Sequence, residues 1–272
     1  IEPATLDAIR EKAPLARHLS GERLAMELEK LLAAARPSVG LRLLGDTGLL
    51  EVLSPDLAAQ RGVPQNKVEG EDLWDHTLRT VDAAPAGRPV VRLAALVHDI
   101  GKPATLDDGP FRGHEILGVS LATAFLERLR LPKTVVERVG HLVRHHMFAY
   151  EPDWGDGGVR RFIRRVGRPA LEDLFALRAA DSLGSGLPAD AGGLAELRSR
   201  VDEQLANSAV VERGGLAIDG KDLITDLGVP QGPTLGRILD RLVERVIVDP
   251  TLNDRPTLLL LAEELLAEEG AR

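Results

Sequence analysis

The sequence predicts an all-α protein, and three observations carry that prediction. Aromatic residues make up only 3% of a chain that is 44% hydrophobic, so the core must be built from Leu, Val, Ala and Ile, which favours helices over sheets. Apolar residues recur at helical spacing in almost every segment, as at Leu24, Leu28, Leu31 and Leu32. Start and stop signals flank the same segments, with Ser20 as an N-cap before this run and Arg36-Pro37 as its end. At 272 residues the chain is long enough for one large domain or two small ones with a sizeable core.

The elements follow in order. After the helix that Ser20 opens, Val39 to Thr47 reads as a second short helix and Gly48 to Pro55 as a short helix or turn. Gln60 to Gly70 is polar and holds Gly62, Pro64 and Gly70, so it reads as a loop. Glu71 to Ala84 is a helix carrying His76, and Pro89 to Asp99 a strongly apolar one stopped at Ile100-Gly101-Lys102-Pro103. Leu106 to Arg112 reads as a turn or short hairpin; helices His114 to Leu129 and Lys133 to His146 follow, separated by Leu131-Pro132. A polar loop from Tyr150 to Gly158 leads to a basic helix, Val159 to Val166, and then to Pro169 to Leu183, which carries Asp181. Gly184 to Gly193 is the most linker-like stretch. Beyond it come a helix over 194–207, a loop with Gly214-Gly215, a segment 216–247 and an apolar helix over 256–269.

Several function classes drop out. There is no cysteine, so disulfides and thiolate metal sites are excluded, and any transition metal must sit on His and carboxylates; this fits a reducing cytoplasm. The net charge of -8 argues against a general cationic nucleic-acid coat while allowing a local basic patch. No apolar run approaches the ~20 residues of a membrane span, so no membrane partner is expected.

Six of the seven histidines fall between residues 76 and 146, and the ordered set His76, His98-Asp99, Asp181 is the most informative feature of the chain. Imidazole nitrogen and carboxylate oxygen are ligands for divalent metals. His98 and Asp99 close an apolar helix where consecutive side chains can converge, His76 shares the inward face with Leu73, and Asp181 ends a helix whose inner face is Leu174, Leu177 and Ala180. Buried charges of this kind need a partner, and a divalent cation is the natural one.

The strings HDIGKPAT, GHEILG, RHHM and AADS resemble the HD superfamily of metal-dependent phosphohydrolases over about residues 71 to 186. The resemblance implies His76, His98, Asp99 and Asp181 as core metal ligands and His114 and His145 as those of a second ion, with His146 as the alternative to His145. His141, one turn before His145, is read as a residue behind the ligands or on the surface. Asp99 would bridge the ions or orient the attacking water as a catalytic group; Lys102 is either a phosphate-binding or acid-side catalytic residue or a solvated helix-terminal lysine. One or two ions of Mn, Ni, Co, Mg or Fe suit such donors. Arg144 is a candidate phosphate clamp, with a surface role preferred.

The flanking segments, SGERLAMELEKLLAAARPSVGLRLLGDTGLLEVLSPDLA before and VRRFIRRVG and LAIDGKDLITDLGVPQGPTLGRILDRLVERVIVDP after, resemble bacterial tRNA nucleotidyltransferases of the CCA-adding and poly(A) polymerase-like family. That implies a helical neck or body over 1–68, an HD domain over 69–190 and a tail over 191–272 that contacts tRNA. The Gly-Ser motif with paired aspartates of the family's polymerase head is absent, and the chain opens at Ile1 without Met. The expectation is therefore the C-terminal portion of such an enzyme, without nucleotide transfer of its own. Arg160, Arg161, Arg164 and Arg165 form a basic stripe on one helix, and with Lys221 they are the candidate RNA contacts; a solvated, salt-bridged face is the alternative. The expected partners are tRNA or RNA ends and small nucleotide phosphates, with phosphomonoesters and 2′,3′-cyclic phosphates as substrates. The rival is a non-catalytic tRNA-binding body.

Overall fold

A computed structural model of the chain describes residues 1–65, 67–108, 111–206 and 213–270. In chain order its α-helices are α1 (Pro3–Lys12), α2 (Gly21–Ala33), α3 (Pro37–Asp46), α4 (Leu49–Leu53), α5 (Pro55–Ala58), α6 (Leu73–Ala83), α7 (Pro89–Val97) and α8 (His114–Arg128). They continue with α9 (Lys133–His145), α10 (Asp156–Val166), α11 (Arg168–Gly184), α12 (Leu194–Ala206), α13 (Gly220–Leu227), α14 (Pro233–Val248) and α15 (Arg255–Gly270). Among the described residues there is no strand, only an isolated bridge between Pro64 and Asp72, so the protein is all-α.

The helices form where the sequence places its apolar stripes. Ser20 caps α2 by accepting from the Arg23 amide, and Asp72 and Asp75 form a reciprocal capping box on α6. α1 buries none of its residues fully, and only Leu6 and Ile9 are half-buried, a short signal from which to read a helix. Of the expected turn or hairpin over Leu106 to Arg112, residues 109 and 110 lie outside the described residues, and 103–108 form a 3-10 turn. Residue 207, the expected end of the helix from 194, also lies outside them.

Contacts divide the chain into two compact units: Ile1–Ala149 with Pro169–Leu194, and Tyr150–Arg168 with Ala195–Arg272. This grouping differs from the three segments drawn on the sequence. The neck or body segment packs with the metal-site helices, and α10 belongs with the tail.

In the first unit α7 is the central element. Val91 to Val97 are all buried, with α2, α6 and α9 packed against it and α8 on α9. Arg92 keeps its charge inside this packing because its guanidinium donates to Ala84 O at 3.0 Å, to Ala34 O at 2.6 Å and to Leu32 O, carbonyls at the ends of α6 and α2. In the second unit α13, α14 and α15 share a core of Leu223, Ile238, Leu242, Val246, Leu258, Ala262 and Leu265, and α10 packs on α14.

Candidate metal centre

Five helix segments deliver the site, one of them the end of α9, which brings His146. His76 lies one turn beyond Leu73 on the buried face of α6. His98 and Asp99 follow the last residue of α7, where the chain leaves regular helix. His114 is the first residue of α8, and Asp181 sits on the buried face of α11 with Leu177 and Ala180. Gly101 lets two of these segments meet. A Cβ there would stand 2.4 Å from His114 O and 2.9 Å from Gly118 N, so only glycine allows the end of α7 to approach the start of α8 this closely.

The donors form two nests that share one carboxylate. In the first, His76 Nε2 is 3.2 Å from His98 Nε2, 3.4 Å from Asp99 Oδ2 and 3.2 Å from Asp181 Oδ1, and His98 Nε2 is 3.2 Å from Asp99 Oδ2. In the second, Asp99 Oδ1 lies 3.3 Å from His114 Nε2 and 3.5 Å from His146 Nε2, and those two nitrogens are 3.3 Å apart. Asp99 thus turns one oxygen to each nest. His76, His98, Asp99, His114 and His146 are all buried.

The protonation of these rings tests whether a cation fits. His98, His114 and His146 each direct Nδ1 at the carbonyl three residues earlier, Ala95 O at 2.8 Å, Phe111 O at 2.7 Å and Val143 O at 2.7 Å. A carbonyl only accepts, so Nδ1 carries a proton, and the neutral tautomer with that proton presents a lone pair on Nε2. The Nε2 atoms of His114 and His146 then face each other and Asp99 Oδ1, that of His98 faces His76 Nε2 and Asp99 Oδ2, and Asp99 Oδ1 and Asp181 Oδ1 are buried without a hydrogen-bond partner. Packed lone pairs without an intervening positive charge are unfavourable, and a divalent cation in a nest would resolve the arrangement. Backbone carbonyls behind imidazole rings are the kind of outer partner that orients histidines for metal binding.

The groups pull on one another in opposite directions. Burial pushes the His98 imidazole down, toward its neutral form. Burial would raise Asp99, yet His98, Lys102, His114 and His146 together hold it well below the usual carboxylate range. Asp181 is likewise driven low against its burial by His76, His98 and Lys67. His76 is pulled down by burial but raised overall by Asp181 and Asp99.

The centre opens into a cavity of about 890 Å³ whose lining includes Asp99, His114 and Asp181. One side is cationic. Lys102 Nζ lies 2.6 Å from Asp99 Oδ2, Arg178 donates to Asp181 Oδ2 at 3.1 Å, and Lys67 Nζ stands 3.7 Å from Asp181 Oδ1 and 3.0 Å from Ser185 Oγ. Lys102 is therefore a buried residue of the site, not a solvated helix end. Lys67 is lowered by burial, partly offset by Asp181.

Sequence reasoning passed over Lys67, Arg178 and Ser185. Arg178 was within reach of it, because it lies three residues before Asp181 on one helix, so the two side chains meet. Lys67 comes from an irregular loop with no periodicity to read. Ser185 falls in the stretch read as a linker, yet Ser185, Leu187, Ala191 and Gly192 wall the cavity.

Two expectations are corrected. His146, not His145, joins the second nest: α9 buries Val136, Val139, Leu142 and Val143, and 146 continues that face by steps of seven, four and three. His145 lies instead against His141, ring centroids 4.5 Å apart. Arg160 is not part of an exposed stripe. It is buried, donating to Ile247 O at 2.6 Å, Gln204 Oε1 at 2.7 Å and Val248 O at 3.1 Å.

The other predicted residues are dispersed. Arg144 is paired with Glu115 at 3.4 Å, and Arg164 with Glu244 at 2.5 Å and Asp240 at 3.3 Å. Arg161 and Arg165 are exposed and, with Trp154 and Arg164, line a cleft of about 860 Å³. Lys221 is exposed at the start of α13, where the Asp219 carboxylate already takes the Lys221 and Asp222 amides that a phosphate would use.

Comparison with known proteins fits this geometry. Residues 1–61 match the model described as the probable RNA and SrmB-binding site of polymerase A, and residues 73–185 match the HD domain. A CC-adding tRNA nucleotidyltransferase of Thermus thermophilus is 39% identical over 82% of this chain and 52% of its own length. An A-adding tRNA nucleotidyltransferase of Deinococcus radiodurans is 30% identical over 90% of the chain and 59% of its own length. A multifunctional CCA protein of Xanthomonas campestris is 32% identical over 88% and 59%. The chain thus spans about half the length of the curated relatives it matches. With a polymerase-type RNA-binding segment and an HD domain that carries two His/Asp nests, the chain belongs to the HD-containing branch of the bacterial tRNA nucleotidyltransferase and poly(A) polymerase family.

Proposed function

We propose that the chain is a divalent-metal-dependent phosphohydrolase acting on phosphomonoesters and 2′,3′-cyclic phosphates at RNA or nucleotide ends, in tRNA 3′-end processing or repair. The observation that carries this reading is the pair of nests sharing Asp99 beneath a cavity with a cationic side. His76, His98, Asp99 and Asp181 would hold one cation, and Asp99, His114 and His146 another. A cation held there stabilises charge developing on a phosphoryl group and acidifies a water toward neutrality. Lys102, Lys67 and Arg178 present ammonium and guanidinium groups to phosphate oxygens, and burial at the foot of the cavity strengthens those contacts. Lys102, 2.6 Å from Asp99 Oδ2, would donate a proton to the departing oxygen.

The reading is tested by measuring bound metal and phosphate release from a 2′,3′-cyclic nucleotide and a phosphomonoester with added Mn, Ni, Co or Mg. Asp99→Asn removes a charge from both nests and should cost at least about a thousandfold in kcat/KM with the helical circular dichroism retained. A chain that holds no metal and releases no phosphate refutes the hydrolase.

The rival, an RNA-binding body, draws on the exposed Arg161 and Arg165 beside Trp154. These groups suit an RNA backbone, and we assign them to RNA contact alongside the hydrolase rather than instead of it. No helix among the described residues is long and apolar enough to cross a membrane.

A further inference from the structure

Resting on the hydrolase reading, we propose that Phe111 is a specificity-determining residue of the site: the base of a terminal nucleotide stacks against its ring while the phosphate lies over the nests. Phe111 lines the same cavity as Asp99, Lys102, His114 and Asp181. Its φ of 53° is in the left-handed region, which a bulky side chain rarely adopts and which marks functional positions.

The backbone there has an evident purpose, because the Phe111 carbonyl accepts from His114 Nδ1 at 2.7 Å. Any residue supplies that carbonyl, and Gly or Asn would supply it with less strain. The aromatic side chain is therefore an addition that holding His114 does not require. Its ring lies 5.4 Å from Lys102 Nζ, and Lys102 in turn touches Asp99, so one ammonium group separates the ring from the carboxylate shared by both nests.

The remainder of the rim suits the same occupant. Leu106, Met147 and Leu187 line the cavity with 46%, 57% and 53% of their surfaces exposed. Large apolar side chains left open around a cavity whose floor is charged match an ester with a phosphate at one end and a flat ring at the other. The hydrogen-bonding side chains of the cavity, Gln65, Ser182 and Ser185, are neighbours of Asp99, Lys67 and Asp181 in contact or in sequence. Recognition at the rim is thus by stacking, which accepts any base because every base has a π-face.

The test uses the Mn-loaded full chain with adenosine 2′-monophosphate, cytidine 2′-monophosphate and ribose 5-phosphate, read both by calorimetric binding and by phosphate release. The unaltered chain should favour either nucleotide over ribose 5-phosphate by at least about tenfold, the effect of one stacked base. Phe111→Asn, which keeps the left-handed backbone and the carbonyl, should bring that ratio to about 1, and Phe111→Tyr should preserve it. A ratio near 1 in the unaltered chain, or one that Phe111→Asn leaves unmoved, overturns the assignment. Selective binding without phosphate release would leave Phe111 in place and defeat the hydrolase; release without preference would do the reverse.

Discussion

The metal centre of the first unit and the buried Arg160 of the second treat buried charge in opposite ways. In the second, Arg160 is buried with each guanidinium nitrogen donating, to two carbonyls and a glutamine, and Arg164 is held by two carboxylates. In the first, the buried centre is short of partners, since lone pairs face lone pairs and two carboxylate oxygens go unmatched. A charged residue in the sequence looks the same in both settings. What separates structure from chemistry is whether the fold supplies the partner or leaves the place for something else.

Breaking the saturated side should damage the fold. Arg160→Ala strips donors from Ile247 O, Val248 O and Gln204 Oε1 and should cost about 3 kcal/mol in urea unfolding. A cost under about 1 kcal/mol would show that solvent already serves those acceptors. Gly101→Ala pushes a methyl group into His114 O and should cost about 2 kcal/mol while weakening metal binding, read by unfolding and by Mn titration together. Unchanged stability would mean that the end of α7 can slide away from α8. The smallest effect belongs to the exposed arginines. Arg161→Ala and Arg165→Ala should each lower the salt slope of tRNA binding by about 1, whereas Arg164→Ala, already neutralised by Glu244 and Asp240, should leave it nearly unchanged. Equal effects from all three would dissolve the distinction between saturated and available charge.

Much of this was legible in the sequence, and the misses share a cause. α6 and α11 announce themselves because each buries one face, and α7 because its apolar run is buried throughout, and these elements bring His76, Asp181 and the His98-Asp99 pair inward. His145 and His146 are adjacent at the end of α9, so a motif cannot choose between them, although the run Val139, Leu142, Val143 points to 146. Arg160 could not be told from Arg161 by charge alone; its burial depends on carbonyls at the far end of α14, 87 and 88 residues away. Lys67, Ser185 and Phe111 lie in irregular segments, where neither period applies and only the folded path brings them to the cavity.

The shared-carboxylate account is tested most directly by counting Mn ions bound per chain in equilibrium dialysis. It predicts two for the unaltered chain, two for His145→Ala and one for His146→Ala, with His76, His98, Asp99 and Asp181 keeping the remaining ion. A single ion in the unaltered chain, or loss of an ion from His145→Ala with both retained in His146→Ala, would contradict it.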